Sequence, residues 1–392
     1  MRIAIDTLFE HPDRPTGAID YLRNVARVFP RVGPQHDYYL LTSDRNIWHF
    51  RDFQHSNLHF IRCFRSNENM PLRILTQQGL IPVLMKSHKI DVLYAPGNVC
   101  PFWGTFCRVL KINTLHHYQA PHFVGRARAL YRRFFFAESA RRATHILANT
   151  ALTKKEICKF MRIPEEKVTV VAEPLYDVYC PVAPDQARNT LNRHGLERDY
   201  ILFVSTLYPY KNTETLIKSF AHLTKQGGLD FELVIVGRDF DSQLPKLQSV
   251  ANHLGVSERV RFLGFVPTED LPAIYSSAKV FVFPSLVETF GKPLVEAMRC
   301  GVPVVASNTS CIPEVLGGAG LLVNPSDPVE MASAITQAIE DRPLRKDLIE
   351  RGLQRAQNFS WENGARQTLA VMERALKNWK ISHRQPEWVH GA

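Results

Sequence analysis

The 392-residue chain is short of several features that would have classified it at once. It has no uninterrupted apolar run near the roughly 18 residues that a membrane-spanning helix needs. Its first residues, MRIAIDTLFE, put an acid where a signal peptide keeps an apolar run, so the expectation is a chain on the cytoplasmic side of the membrane. The seven cysteines (Cys63, Cys100, Cys107, Cys158, Cys180, Cys300 and Cys311) include no C-x-x-C pair and are odd in number. They read as buried thiols of a reducing compartment, with neither a zinc site nor a disulfide framework. No G-x-G-x-x-G run follows a candidate strand, which argues against a dinucleotide-dependent oxidoreductase.

What is present points to a large α/β protein. Hydrophobic residues make up 45% of the chain, enough for the cores of two ordinary domains. The formal charge of +10 favours anionic partners, which include nucleotides, acidic lipid headgroups and nucleic acid. Short β-branched runs alternate with amphipathic stretches, the pattern of βαβ units and parallel sheets. In the first half the expected strands cover 2–5, 38–42, 58–63, 91–94, 109–114, 144–148 and 168–171. Helical patterns over 18–29, 72–87, 126–142 and 151–161 lie between them, and Pro82 is expected to kink or split the second. The segment EPLYDVYCPVAP, with three prolines and no period, reads as a linker, followed by a short helix through Leu191. The rhythm then restarts, with strands at 200–205, 231–236, 261–265, 280–283, 303–306 and 320–323, and helices at 213–223, 244–254, 269–276 and 293–300. Three helical patterns close the chain, the last from Trp361 to about Trp379. The expected fold class is α/β, with two Rossmann-like doubly wound domains sharing a ligand across an inter-domain cleft.

One stretch carries the chemistry: PSLVETFGKPLVEAMRCGVPVV, with Glu288 and Glu296 on either side of a Gly-Lys-Pro turn. Pro is favoured in the first helical turn and Gly lets a backbone approach a ligand, so Gly291-Lys292-Pro293 should open a helix. The free N–H groups and positive dipole end of that helix make a diphosphate site, and Glu296 falls about one turn, roughly 5 Å, further along. Taken alone, the pair also fits a helix-start acid and a solvated neighbour.

The full run Glu288-Thr-Phe-Gly-Lys-Pro-Leu-Val-Glu296-Ala-Met-Arg-Cys-Gly301-Val-Pro303 resembles the E-x7-E signature of the family four retaining glycosyltransferases. The resemblance implies the GT-B fold, with domains at 1–175 (acceptor-binding), 176–360 (nucleotide-sugar-binding) and 361–392 (a helix returning towards the first domain, plus a tail). It implies that Glu288 contacts the transferred sugar, the amides of Phe290 and Gly291 serve sugar and phosphates, and Glu296 binds the ribose. By the same resemblance Gly17, in the loop after the first strand, approaches the donor phosphates; Lys211 pairs with the diphosphate; and Val266 borders the nucleobase. Ser360-Trp361-Glu362 resembles the start of the returning helix.

The chain departs from that family in places. Thr206 stands where many members carry an arginine, so one phosphate clamp is reduced to a hydroxyl, with Arg238 as a candidate substitute. His116 matches the family's catalytic histidine near the donor sugar, and His117 replaces the usual acid. Glu173-Pro174 stands in place of an Asn-Gly. The implied reaction is transfer of a hexose from a GDP- or UDP-linked donor to an acceptor hydroxyl with retention, in polysaccharide, lipopolysaccharide or glycolipid synthesis. No cofactor is implied beyond the nucleotide diphosphate sugar as co-substrate, and no metal, since Lys211 can neutralise the leaving group. The acceptor is a sugar or a lipid-linked sugar. The basic stretch 125–145, with six arginines beside Leu130, Phe134 and Ala137, fits either a core-packed helix with a solvated face or a peripheral contact with an anionic membrane. A GT-B-fold sugar-nucleotide epimerase or glycogen-type synthase is the alternative enzyme. A nucleic-acid-binding protein is the non-enzymatic alternative suggested by charge alone; the preferred reading has no nucleic-acid partner.

Overall fold

Runs such as YILFV and VFVF, in which every residue is buried, can only be central strands of sheets covered on both faces. The computed structural model, which describes residues 1–9, 17–64, 70–119, 121, 125–226 and 230–383, arranges them in two wholly parallel sheets. The first holds β1 (Arg2–Asp6), β2 (Asp37–Ser43), β3 (Leu58–Phe64), β4 (Val92–Ala95), β5 (Cys107–Ile112), β6 (His145–Ala148) and β7 (Val168–Val170), in the order β3-β2-β1-β4-β5-β6-β7. The second holds β8 (Tyr200–Val204), β9 (Glu232–Val236), β10 (Val260–Gly264), β11 (Val280–Phe283), β12 (Val304–Ser307) and β13 (Leu321–Val323), in the order β10-β9-β8-β11-β12-β13. In both, the strand order reverses once, between β1 and β4 and between β8 and β11. Those reversals leave a crevice at the carboxyl edge where open α/β sheets bind ligands.

Chain contacts divide the molecule into one unit of Met1–Ala172 with Trp361–Ala392 and another of Glu173–Ser360. In the first, the helix Trp361–Ser382 closes the fold: the Trp361 ring lies 5.2 Å from that of Tyr21, and Glu373 meets the buried His36 at 3.0 Å. Strand β5 is buried along its whole length although it carries two cations. The Arg108 guanidinium donates to the carbonyls of Trp103, Gly104 and Phe106, and the Lys111 ammonium sits 4.1 Å from the centre of the Tyr21 ring. The long helical pattern at 72–87 is broken as Pro82 requires: Met70–Leu75 and Ile81–Ser87 are α-helical, with a π-helical turn, Thr76–Leu80, between them. The cysteines are not all buried; Cys180 is exposed and Cys63 and Cys158 are half-buried, while all seven are free.

In the second unit the core groups Phe203, Ile217, Phe220, Leu233 and Val280 between sheet and helices. Its pairing continues past the strand ends: Ser205 N–H donates to the Val236 carbonyl and Leu207 N–H to that of Arg238. Gly237 permits this approach. At its φ of +150° a Cβ would stand 1.7 Å from the Ser205 carbonyl oxygen. Gly237→Ala is therefore expected to lower stability by about 2 kcal/mol or more and to loosen the loop after β8, read by urea denaturation; an unchanged midpoint would show that the two loops separate at no cost.

Candidate functional site

The reversal in the second sheet places the ends of β8 and β11 side by side, because the strands run parallel with Val280 beside Ile201. Lys211 sits on the loop after β8 and Glu288 on the loop after β11. Both are buried, and they meet in an ion pair of 2.5 Å. Three further hydrogen bonds hold the lysine's loop. Asn212, in the left-handed region at φ 61°, donates its amide to the Pro284 and Pro325 carbonyls, and the Leu286 N–H donates to the Tyr210 carbonyl. Ser310 clasps Glu288 from the other side, accepting from its N–H at 3.0 Å and donating to its carbonyl at 2.7 Å.

Beyond Glu288 the chain turns at Gly291, which has φ 85°, into the helix Lys292–Arg299, with Pro293 in the first turn as expected. Glu296 lies on its buried face. The Tyr275 hydroxyl donates to Glu296 Oε2 at 2.8 Å, and the Tyr179 hydroxyl also reaches this carboxylate. Burial raises the Glu296 pKa above the ordinary carboxylate range, against the lowering by Tyr275, Lys292 and Tyr179. Lys292 pairs with the buried Glu173 at 3.0 Å. Burial would lower the pKa of this ammonium, but Glu173 and Tyr176 outweigh it and the value is raised.

The remaining second-unit candidates surround this centre. Thr206 lies on the same loop as Lys211, and the Leu207-to-Arg238 backbone bond brings Arg238 beside it. The Arg238 guanidinium stacks 4.1 Å from the centre of the exposed Phe265 ring, one residue before the buried Val266. Phe290 is buried against Phe359, ring centres 5.6 Å apart. The structure thus brings Lys211, Glu288, Thr206 and Arg238 to the loops at one sheet edge, with Phe290, Gly291 and Glu296 continuing from Glu288 into the following helix.

Gly17 and His116 belong to the first unit. Gly17 is the first residue of the helix Gly17–Val32; its neighbour Thr16 lies outside the described residues. His116 opens a single helical turn, His116–Gln119, four residues beyond the end of β5. His117 is fully buried with both ring nitrogens unbonded, packed 5.0 Å from Phe136, and burial first, then Arg132 and Arg133, lower its pKa to about 4. The residue standing in place of the usual acid is thus a neutral wall of the core at ordinary pH. Sequence reasoning did not single out Asn212, Tyr179, Tyr275 or Ser310 as site residues. The one local signal was the residue type at Asn212 itself, an Asn directly after Lys211 being suited to the left-handed position.

Residues 15–174 match the family model described as Glycosyltransferase Family 4, and residues 188–355 match that of Glycosyl transferases group 1. The O-antigen chain mannosyltransferase B of Escherichia coli is 32% identical over 66% of this chain and 68% of its own length. The serotype-specific mannosyltransferase WbdA of E. coli is 28% identical over 63% of this chain, and the match spans only 31% of that longer protein. HepE of Anabaena, solved with UDP and glucose, shares the fold at a TM-score of 0.72 and 21% identity, over 95% of this chain and 100% of that one.

Two outcomes follow from the geometry. Glu288→Ala or Lys211→Met alone leaves a buried charge without its partner and should cost about 3 to 5 kcal/mol. The double variant should cost clearly less than the sum in urea denaturation, and additive losses would show the pair to be uncoupled. The second outcome is a pH dependence. His117 is neutral when folded but titrates near 6.5 when unfolded, so stability is held above pH 6.5 and falls as pH drops towards 4, by up to about 3 kcal/mol for this residue. His117→Phe should flatten the wild-type stability profile over that window; an identical slope in both proteins would refute the assignment.

Proposed function

This chain belongs to the family 4 glycosyltransferases, and from that membership we propose that its second unit binds a nucleotide diphosphate sugar on the loops after β8 and β11. The observation that carries this reading is the buried Lys211–Glu288 pair at the strand-order reversal. A cation held in a low-dielectric site is worth most where negative charge grows as a reaction proceeds. In the transfer proposed here that charge grows on the departing nucleoside diphosphate. Lys211 then shares its ammonium between Glu288 and the phosphates, with the Thr206 hydroxyl and the Arg238 guanidinium beside it. Glu288 is left to orient hydroxyls of the transferred hexose.

Glu296 holds the ribose, its carboxylate fixed by Tyr275, and the amides of Phe290 and Gly291 contact the sugar and phosphates. Val266 borders the base. Gly17 serves the phosphates and His116 the reacting sugar from the first unit. The reaction retains the anomeric configuration without a metal ion: the leaving phosphate accepts the acceptor's proton, and the cations just named neutralise it. The similarity to an O-antigen mannosyltransferase supports a mannosyl donor and a polysaccharide or lipopolysaccharide acceptor.

No helix among the described residues is long and apolar enough to cross a membrane. Peripheral contact with an anionic membrane through 125–145 is part of the proposal. On the helix Arg126–Arg142, Leu130 and Phe134 are 71% and 58% exposed among arginines, although Ala137, expected on the same face, is buried in the core.

Melting of the protein with GDP, UDP and ADP is expected to show a rise for one of the first two, because a ligand that binds only the folded state stabilises it. Proton NMR of the product should show an α linkage from an α-linked donor. No rise with any nucleotide would sink the donor site, and a β product would sink retention.

A further inference from the structure

The first unit has its own strand-order reversal, between β1 and β4, and the loops that leave those strands enclose a cavity of about 530 Å³. We propose that this cavity binds the phosphate group of a phosphorylated acceptor, with Arg73, Arg128 and Arg132 as its ligands. The inference rests on the transferase reading and names the acceptor's chemistry.

Phe9 follows β1, and Gly97 and Asn98 follow β4; all three line the cavity. Its place at the carboxyl edge is therefore the one an open α/β sheet reserves for ligands. The walls are held in position. A Cβ on Gly97 would stand 2.4 Å from the Phe9 ring, so the two loops close on each other only because that residue is glycine. Asn98, at φ 66°, accepts from the Asn113 N–H at 2.6 Å, which ties the loop after β4 to the loop that leads to His116. Gln77 is buried and donates to the buried Asp6 at 2.7 Å, anchoring the broken helix to the end of β1.

The charged residues among the described lining are all arginines, and the buried Asp6 lies close enough to Arg73 for the two charges to interact. Arg73 is fixed by donating to the Phe9 carbonyl at 2.9 Å, and Arg128 and Arg132 project from the helix Arg126–Arg142 with Tyr131 between them. No aspartate or glutamate is among the described lining residues. Three guanidinium groups line one cavity, and an anion with several oxygens is the ligand that can engage all of them at once. Guanidinium forks match phosphate oxygens in pairs, and the aromatic rings of Phe9, Tyr131 and Phe136 keep the surroundings apolar enough for those bonds to be strong. A soluble sugar phosphate and a lipid headgroup both carry such a phosphate, and the experiment separates the two sources.

The full chain is assayed with and without saturating GDP or UDP, so that the donor site is occupied in one series. Glucose 6-phosphate is titrated against glucose by calorimetry, and phosphatidylcholine vesicles with and without phosphatidic acid are compared by co-sedimentation. A phosphate-bearing probe should bind and its neutral counterpart should not. Arg128→Gln with Arg132→Gln should weaken that binding by about tenfold or more, since each removes charge-assisted hydrogen bonds. Both side chains are at least partly exposed, and the Lys versions, which keep the charge, should lose less. Arg126→Gln, on the same helix but outside the cavity, should change little. Binding of glucose 6-phosphate identifies a soluble acceptor, and binding of phosphatidic acid alone identifies a headgroup. Failure of both phosphate probes, an unaffected Gln pair, or an equal loss with Arg126→Gln overturns the proposal. Nucleotide stabilisation with no phosphate effect leaves the transferase reading standing and removes only this site; phosphate binding without nucleotide stabilisation does the reverse.

Discussion

A lysine and a glutamate can share a buried position only by facing each other, and the second unit is arranged around that constraint. Lys211 and Glu288 reach burial because β8 and β11 run parallel on either side of the strand-order reversal, so both loops leave the sheet at the same edge. The contacts near them keep the two loops in register: Asn212 bridging to two carbonyls, Ser310 clasping the Glu288 backbone, and Gly237 letting a third loop close in. A buried pair of this kind adds little net stability compared with an apolar pair, so its presence points to use.

The helix that follows repeats the device in a different form. Glu296 is buried under two tyrosines, and Lys292 on the same helix is neutralised by Glu173, which precedes the first strand of the second unit. The charges that flank the Gly291 turn are thus all matched by partners far away in sequence. A site so constructed presents a stiff arrangement of hydrogen-bond acceptors, which suits positioning a polyhydroxylated ligand better than moving protons.

Periodicity made the fold legible. Every strand expected from the sequence is found, with ends displaced by at most two residues, because the buried parallel strands need apolar runs that few other structures tolerate. The acidic pair and its turn were equally visible, since Gly291 and Pro293 obey local backbone rules. What sequence could not convey were partners brought together only by the tertiary fold. Tyr275 lies on a different helix from Glu296, and nothing in the spacing of the two says that one phenol caps the other. His117 beside His116 looked like a polar pair, but the turn His116–Gln119 sends His117 into the core. The basic helix over 126–142 was predictable in extent, whereas nothing in the sequence says that its Arg128 and Arg132 meet Arg73 of the preceding broken helix at one cavity.

The helix Trp361–Ser382 packs on the first unit, although the whole of Glu173–Ser360 is made before it. During synthesis, then, the first sheet must emerge and wait without the helix that covers Tyr21 and Lys111, while an entire second sheet is translated and folds. The unit that begins the chain is the last to be finished, so a ribosome that stops early releases a second unit with its strands in place and a first unit with an uncovered apolar flank.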